Sequence, residues 1–551
     1  MRKIVIVGGV AGGATAAARA RRLDEDAEIV LFERGEYISF ANCGLPYYIG
    51  GVITERDALL VTTEESFSSR YNVNIRSRTE VIGIDREKKV VDVRDVRTGK
   101  TTTEAYDRLI LSPGAEPFRP SVKGIDLPGV FTLRNIPDTD RIKRYVDAKM
   151  PKTALVAGAG FIGLEMAENL VARGVETTVV ELTDQIMPPL DVEMAAVVET
   201  HVKSKGAIVL TSTSVQGIEA ADGAYTVMLQ NGKGAETKQF ELVLLATGVR
   251  PETSLAVSAD LALSGKGGVR VDASMMTSDP AILATGDAVT TLDYVSGAEV
   301  VVPLAGPANR QGRIAADNAS GRRSVYKGTL GTSIAKIFDM NAACTGMSEK
   351  RLEAANIPFK ASWTHSNSHA GYYPGAEMMG IKLLFTPNDG QVLGAQIVGG
   401  KGVDKRIDVI ATAIKAGMTV FDLQELELAY APPFSSAKDP VNIAGYVAGN
   451  ILMGDVEMID YRETLAADLE KDLILDVRTA EEIEENGTLD HVLHIPMDEI
   501  RSRISEIDPS KRVLILCAIG LRGYLGYRIL KHRGYDVKAV AGGYATLQHM
   551  R

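Results

Sequence analysis

The sequence predicts an α/β chain, and three observations carry that expectation. A strand, a glycine-rich turn and a helix begin at Lys3, the same succession recurs from Thr153, and near the C-terminus a buried strand runs into a loop headed by Cys517. Each turn places backbone N–H groups at a helix N-terminus, where the helix dipole favours an anion. At 551 residues the chain is also too long for a single core.

The first strand, Ile4-Val5-Ile6-Val7, leads into Gly8-Gly9-Val10-Ala11-Gly12-Gly13, then a helix from Ala14 to about Arg22. A second strand, Glu28 to Phe32, ends at Glu33. Gly8, Gly9, Gly12 and Gly13 let the backbone approach a pyrophosphate, and an acid roughly 20 residues past the turn can accept from ribose hydroxyls. Val10 stands where the G-x-G-x-x-G pattern has its middle glycine. The second copy is complete: Gly158, Gly160 and Gly163, a helix to about Arg173, then strand Glu176 to Val180 ending at Glu181. A carboxylate at Glu181 bonds a 2′-hydroxyl and repels a 2′-phosphate, which predicts NADH over NADPH. Neither Arg173 nor Arg250 is an obvious phosphate clamp.

Composition narrows the class. The chain is 45% hydrophobic and 24% charged with a net charge of −10, so it reads as a globular protein without the basic footprint of a nucleic-acid binder. Its three cysteines, Cys43, Cys344 and Cys517, are too scattered for a disulfide framework or a zinc site, and no metal is expected. The first apolar run is too short for a membrane span and lacks a cleavage site. A reducing, cytoplasmic setting is the expectation.

Two further segments, Ala246-Thr247-Gly248-Val249-Arg250-Pro251 and the run from Thr277 to Asp287, resemble signatures of the two-dinucleotide-binding flavoprotein superfamily. That resemblance implies FAD in the first fold and NADH in the second, with the NADH fold inserted into the FAD domain. Asp287 would bind the flavin ribityl chain, the helix after it would face the flavin ring, and Gly114, Gly248 and Gly286 join the cofactor-binding set. The expected organisation is an FAD-binding domain over 1–150 and 272–325, an NADH-binding domain over 151–271, an α+β dimerisation domain over 326–453, a linker over 454–462 and a small α/β domain over 463–551.

Cys43 stands alone in Ser39-Phe40-Ala41-Asn42-Cys43-Gly44-Leu45-Pro46-Tyr47. A thiol–disulfide cycle needs a second sulfur, so the partner must come from outside: a bound thiol, a persulfide, or oxygen through a sulfenic acid. The segment resembles that of the coenzyme A-disulfide reductase and NADH oxidase/peroxidase group. Arg19 and Arg22 share a helix face, which reads either as a solvated basic face or, through the resemblance, as a site for the phosphates of coenzyme A, with Thr15, Ser39 and Asn42 nearby. The dimerisation domain carries Tyr372-Tyr373-Pro374-Gly375 and a segment from Ala429 to Pro440. The resemblance makes Tyr373 or Tyr430 a proton donor near the sulfur of a partner chain in a homodimer, and Lys438 a phosphate contact.

Near the C-terminus, Asp476-Val477-Arg478 ends one strand, and Val513-Leu514-Ile515-Leu516 runs into Cys517-Ala518-Ile519-Gly520-Leu521-Arg522-Gly523. Backbone N–H groups and the nearby Arg522 are expected to lower the Cys517 thiol pKa and to cradle a persulfide. This region resembles a single-domain rhodanese, with Cys517 as sulfur carrier, although the usual Gly-His-Ile-Pro-Gly-Ala segment is replaced by Gly487-Thr488-Leu489-Asp490-His491-Val492. Cys344 reads as a small buried residue. The combined expectation is a flavoprotein that uses NADH to reduce coenzyme A persulfide, polysulfide or coenzyme A disulfide, the rhodanese domain supplying sulfane sulfur. The alternatives are an NADH oxidase or peroxidase, and a sulfur-relay or redox-sensing protein.

Overall fold

The computed structural model describes residues 2–550 as two compact units. One holds the chain up to Asp184 together with Gly206–Gly331, and the other holds Gln185–Lys205 with everything from Thr332 onward.

The first unit contains two parallel five-stranded sheets. In one, Lys3–Val7 lies between Glu28–Phe32 and Arg108–Leu111, with Asn74–Arg76 and Ile282–Ala284 outside them. In the other, Thr153–Ala157 lies between Glu176–Val180 and Leu242–Leu245. The strand runs are almost continuously apolar because both faces of each sheet are covered, one of them by an antiparallel meander, leaving Ile4, Val5, Ile6, Leu155 and Val156 with no solvent exposure. The helices open slightly earlier than the apolar pattern indicates, at Ala11 and Phe161. Helix Ala11–Leu23 packs on helix Ala305–Ala319 so closely that a Cβ on Gly312 would overlap the Gly12 carbonyl oxygen. Antiparallel three-stranded meanders, Thr79–Ala105 and Ser214–Phe240, interrupt each parallel fold.

The second unit carries a five-stranded antiparallel sheet in the order Ser333–Ile337, Met340–Gly346, Val392–Gly399, Met378–Phe385, Lys360–Asn367. Its strands span the apolar runs around Ile381–Phe385 and Val392–Val398 that the sequence shows. Helix Val192–Ser204 belongs to this unit. There Lys382, fully buried, meets three carboxylates, with Nζ 2.9 Å from Asp191 and 2.5 Å from Glu193, and Glu349 also in contact. Burial alone would lower the lysine pKa, but the carboxylates win and raise it. The same unit includes a parallel sheet ordered Met458–Ile459, Val537–Val540, Arg512–Leu516, Asp472–Asp476, Leu493–His494. Among the described residues, no helix is long and apolar enough to cross a membrane.

Removing Lys382 strands buried negative charge. Lys382→Met is expected to destabilise the unit that holds it by about 3–5 kcal/mol, read as a lower urea midpoint. Lys471→Met, which breaks the solvent-facing pair with Asp468, should leave the transition where it is.

Candidate functional site

The first glycine turn is built around a close approach. Gly8 has φ +94°, and a Cβ on Gly13 would overlap the Gly8 carbonyl oxygen, so the helix N-terminus sits directly over the strand end. Glu33 braces the turn, accepting from Gly9 N at 2.8 Å and from Gly35 N at 2.7 Å. Ser112 Oγ and Thr285 Oγ1 converge on Gly12, 2.6 and 2.8 Å from where its Cβ would stand. The Thr285 hydroxyl is fully buried and has no hydrogen-bond partner among the described residues. Asp287 lies on the adjoining turn Gly286–Ala288, and burial pushes its carboxyl up to about 6 even though Arg134 pulls the other way. An orphaned hydroxyl and a carboxyl short of partners, beside a glycine turn, fit a nucleotide cofactor that brings hydroxyls and a pyrophosphate. A strand stands between Asp287 and the expected helix. It is strand Val289–Leu292, because the β-branched run Val289-Thr290-Thr291 favours extended backbone, and the helix begins only at Ala305.

The second turn repeats the design. A Cβ on Gly163 would overlap the Gly158 carbonyl, whereas one on Gly160 would meet nothing within 4 Å, leaving open space over the turn. Glu181 Oε2 accepts from Ala159 N at 2.8 Å, and its Oε1 accepts from Thr183 N at 3.0 Å. Gly114 and Gly248 take φ values of +78° and +97°, which L side chains seldom adopt. Arg250 stacks on Phe118 at 4.0 Å, and Arg173 pairs with Asp147 at 2.7 Å, so each guanidinium already has an employment in the fold.

Cys43 stands on a one-turn 3-10 helix, Asn42–Gly44, that opens into helix Leu45–Gly50. The turn is tied to the first glycine loop, since Ser39, at φ +45°, donates its N–H to Gly9 O at 2.9 Å. Such a positive φ on a non-glycine residue is strained backbone held by its surroundings. Cys43 is exposed, yet crowding around the sulfur and then the charges of Glu165 and Asp287 push its thiol pKa up. Glu165 itself is raised to about 7, by burial first and Glu168 second, while the neighbouring Tyr47 pulls it the other way. Tyr47 and Glu165 meet because helix Leu45–Gly50 lies against helix Phe161–Ala172, close enough that a Cβ on Gly50 would overlap the Asn169 amide.

Of the residues expected at the coenzyme A phosphates, Arg22 and Asn42 are exposed, while Thr15 donates to Asn309 Oδ1 at 2.6 Å and Arg19 Nε donates to Asp317 at 2.7 Å. Arg19 is therefore no part of a freely solvated basic face, although the Asp317 contact engages only its Nε. In the second unit, Tyr430 Oη lies 3.1 Å from the hydroxyl of Tyr372, not of Tyr373. Tyr373 instead packs edge-on against His369 with ring centroids 5.7 Å apart. A buried ion pair sets this loop: Arg406 donates to Asp439 at 2.9 Å, to Ser368 O at 2.9 Å and to Ser435 Oγ at 3.2 Å. Lys438, next to Asp439, is exposed.

Cys517 is 2% exposed and accepts a hydrogen bond from Gly520 N at 3.0 Å. Burial pushes its thiol pKa up, and this outweighs the N–H bonds from Gly523, Gly520 and Ile519 and the charge of Arg522. The lowered pKa expected from the loop is thus overturned for the resting thiol. Arg522 is shared, donating to both carboxylate oxygens of Glu482 at 2.6 Å, and this pair holds Glu482 down at about 2. The unusual segment after Asn486 still closes the site: Thr488 donates to Asp476 at 2.7 Å, and Arg478 to Gly487 O at 2.8 Å. Cys344 is half-buried in strand Met340–Gly346 against Ser333.

Comparison with known proteins decides the lineage. Residues 2–312 match the pyridine nucleotide-disulphide oxidoreductase family. The chain belongs to that family. The oxidoreductase also matches the family's dimerisation domain over 332–440 and a rhodanese-like domain over 461–549. It is 37% identical to the coenzyme A disulfide reductase of Staphylococcus haemolyticus across 82% of this chain and all of that protein. The structure of reduced Bacillus anthracis CoADR-RHD superposes with a TM-score of 0.96 at 51% identity, covering 100% of this chain and 98% of the other. A NAD-dependent persulfide reductase from A. fulgidus gives 0.92 at 40% identity over 99% of each chain. As a member of the family the oxidoreductase binds FAD and a nicotinamide nucleotide.

Tyr47, Glu165, Tyr372 and Glu482 escaped the sequence reading. The one cue was that Glu165 stands two positions after Gly163 on the helix opened by the second glycine turn. Glu165→Gln removes a negative charge near Cys43 and should lower the Cys43 thiol pKa, shifting the pH midpoint of its iodoacetamide alkylation downward by peptide mass mapping. An unmoved midpoint would show that Glu165 does not govern the sulfur.

Proposed function

We propose that this oxidoreductase uses NADH to reduce coenzyme A persulfide or coenzyme A disulfide through Cys43, with Cys517 supplying sulfane sulfur. The observation that carries this reading is one redox cysteine on a segment anchored to the first glycine loop, in the same chain as a rhodanese-type loop. The full-length likeness to CoADR-RHD and the persulfide reductase supports it. FAD and NADH, when bound, supply two electrons. The Cys43 thiolate attacks the coenzyme A sulfur of the persulfide, forming Cys43–S–S–CoA and releasing hydrosulfide. Cleavage of that bond consumes two electrons and one proton, returning the thiolate and coenzyme A thiol. Gly8, Gly9, Gly12, Gly13, Glu33, Gly114, Gly286 and Asp287 hold the flavin nucleotide, and Gly158, Gly160, Gly163, Glu181 and Gly248 hold NADH.

The thiolate must be won against partial enclosure and two carboxylates, so substrate and partner groups set its charge balance. Thr15, Arg19, Arg22, Ser39 and Asn42 bind coenzyme A, where the Arg19 Nη groups remain for phosphate, and Lys438, on the segment expected to meet a partner chain, is a further phosphate contact. Tyr372, Tyr430 and Phe434 are 77%, 49% and 70% exposed, an aromatic surface suited to pairing in a homodimer. In that assembly the Tyr372–Tyr430 hydroxyl pair, flanked by Tyr373, donates a proton to the departing sulfur. On the rhodanese side, the loop N–H groups and Arg522 stabilise a Cys517 persulfide anion.

Cys43→Ser should abolish NADH oxidation with coenzyme A disulfide and with coenzyme A persulfide, measured at 340 nm. Cys517→Ser should depress polysulfide-fed turnover far more than turnover on ready-made coenzyme A persulfide. Equal NADH consumption in air without any sulfur substrate would replace this reading with that of an oxidase.

A further inference from the structure

The second unit holds a cavity of about 210 Å³ whose lining does not include Cys517. Its floor is the antiparallel sheet, its side is helix Val192–Ser204, and it is bounded by Ala545 and Thr546 of helix Gly543–Leu547 and by His549 of the 3-10 turn after it. Met194, Met340, Met378, Ile381 and Val398 make its walls apolar. The volume exceeds that of an engineered cavity of about 150 Å³ that accepts benzene.

The polar edge of the cavity is rich in acceptors. Glu193, 1% exposed, accepts at Oε1 from Trp363 Nε1 at 3.0 Å and from Lys382 Nζ at 2.5 Å, while its Oε2 has no partner among the described residues. Thr364 Oγ1 and His365 Nδ1 are likewise buried and unpartnered, and both residues line the same space. Asp191, Glu193 and Glu349 share Lys382. Three carboxyl groups thus face the single ammonium of Lys382, and burial raises the Glu349 pKa despite that ammonium. Arg462, which also feels Glu349, carries Asp460 as its own ion partner at 3.9 Å. Burial, then His549, holds His365 at about 4, and burial also lowers His549, so neither imidazole brings a cation at neutral pH. A buried carboxylate oxygen without a donor is costly, and a ligand that supplies an N–H and a positive charge removes that cost.

We propose that this cavity is a binding site for a small organic cation with an apolar body, of the aryl- or alkylamine class, its ammonium directed to Glu193 and its body among the methionines. The site is separate from the sulfur chemistry, and the proposal does not depend on it. Its neighbourhood links it to Cys517: the helix that closes it donates Tyr544 N to Cys517 O at 2.8 Å and Ala545 N to Ala518 O at 3.0 Å.

The chain's one tryptophan, Trp363, lines the cavity and reports on it directly. The test titrates the full-length holoenzyme with benzylamine and with its neutral isostere benzyl alcohol, following tryptophan emission and heat of binding. The expected result is saturable benzylamine binding, at least tenfold weaker for benzyl alcohol and for Glu193→Gln. Val197→Phe, which fills the cavity from helix Val192–Ser204 and leaves every charged group of the cluster in place, should abolish it. No saturable binding at millimolar benzylamine, equal affinity for the alcohol, or unchanged binding in Val197→Phe would each overturn the proposal.

Discussion

In both dinucleotide folds the helix approaches its strand until only a hydrogen atom fits between them. Gly13 faces the carbonyl of Gly8, Gly163 faces that of Gly158, and any Cβ at either position would collide with backbone oxygen. This contact sets the direction of the helix N-terminus and hence the place where an anion is held. Much else in the first unit follows from it. The Ser39 N–H reaches Gly9 O only because the turn is this tight, and that bond anchors the segment that presents Cys43. Helix Ala305–Ala319 approaches Gly12 through Gly312, which brings Gln311 onto the Gly286 N–H at 2.8 Å and so fixes the turn bearing Asp287.

In the second unit the corresponding constraint is electrostatic. Arg406 and Asp439 are both about 2% exposed at their side chains, and their pair ties the loop after Ser368 to the segment before helix Pro440–Leu452. Burial alone would raise the Asp439 pKa, but hydrogen bonds from Arg406, Ser435 and the Val441 N–H bring it below the ordinary carboxylate value. The contribution of Asp439 ionisation is therefore present above the unfolded carboxylate pKa and is lost as pH falls through the depressed folded value. Because Asp439 also caps the following helix, one carboxylate joins helix start, tyrosine loop and buried arginine.

Much of this was legible in the amino-acid sequence, and the reasons for the rest are physical. Glycine turns, terminal acids and the two motif cysteines are local features, whose chemistry is fixed by neighbours a few residues away. The pairs that were missed join distant positions: Arg19 with Asp317, Tyr47 with Glu165, Arg522 with Glu482, Tyr372 with Tyr430. Choosing between Tyr372 and Tyr373 required knowing which way a tight turn directs consecutive side chains, and the Tyr373 N–H bond to Ala370 O settles that turn. The Cys517 reading failed differently. The N–H donors are in place, but a sulfur with 2% exposure is dominated by lost solvation, a quantity no motif encodes.

Both motif cysteines are consequently held toward the neutral thiol, by enclosure in each case and at Cys43 also by carboxylates. A protonated thiol is a poor nucleophile, so such a chain resists adventitious oxidation until something changes the local charge. The two sites invite different changes. At Cys43 the repelling groups Glu165 and Asp287 are themselves raised to about 7 and about 6, so they are partly neutral near physiological pH, and any ligand that hydrogen-bonds them weakens their hold on the sulfur. At Cys517 the barrier is solvation, and on the proposed function a sulfane sulfur would stand one bond beyond the buried Sγ. Glu482 then acts as the counterweight: while it holds both guanidinium nitrogens, Arg522 lends the sulfur only part of its charge, and transfer of that guanidinium toward a persulfide anion would convert a structural ion pair into a catalytic one.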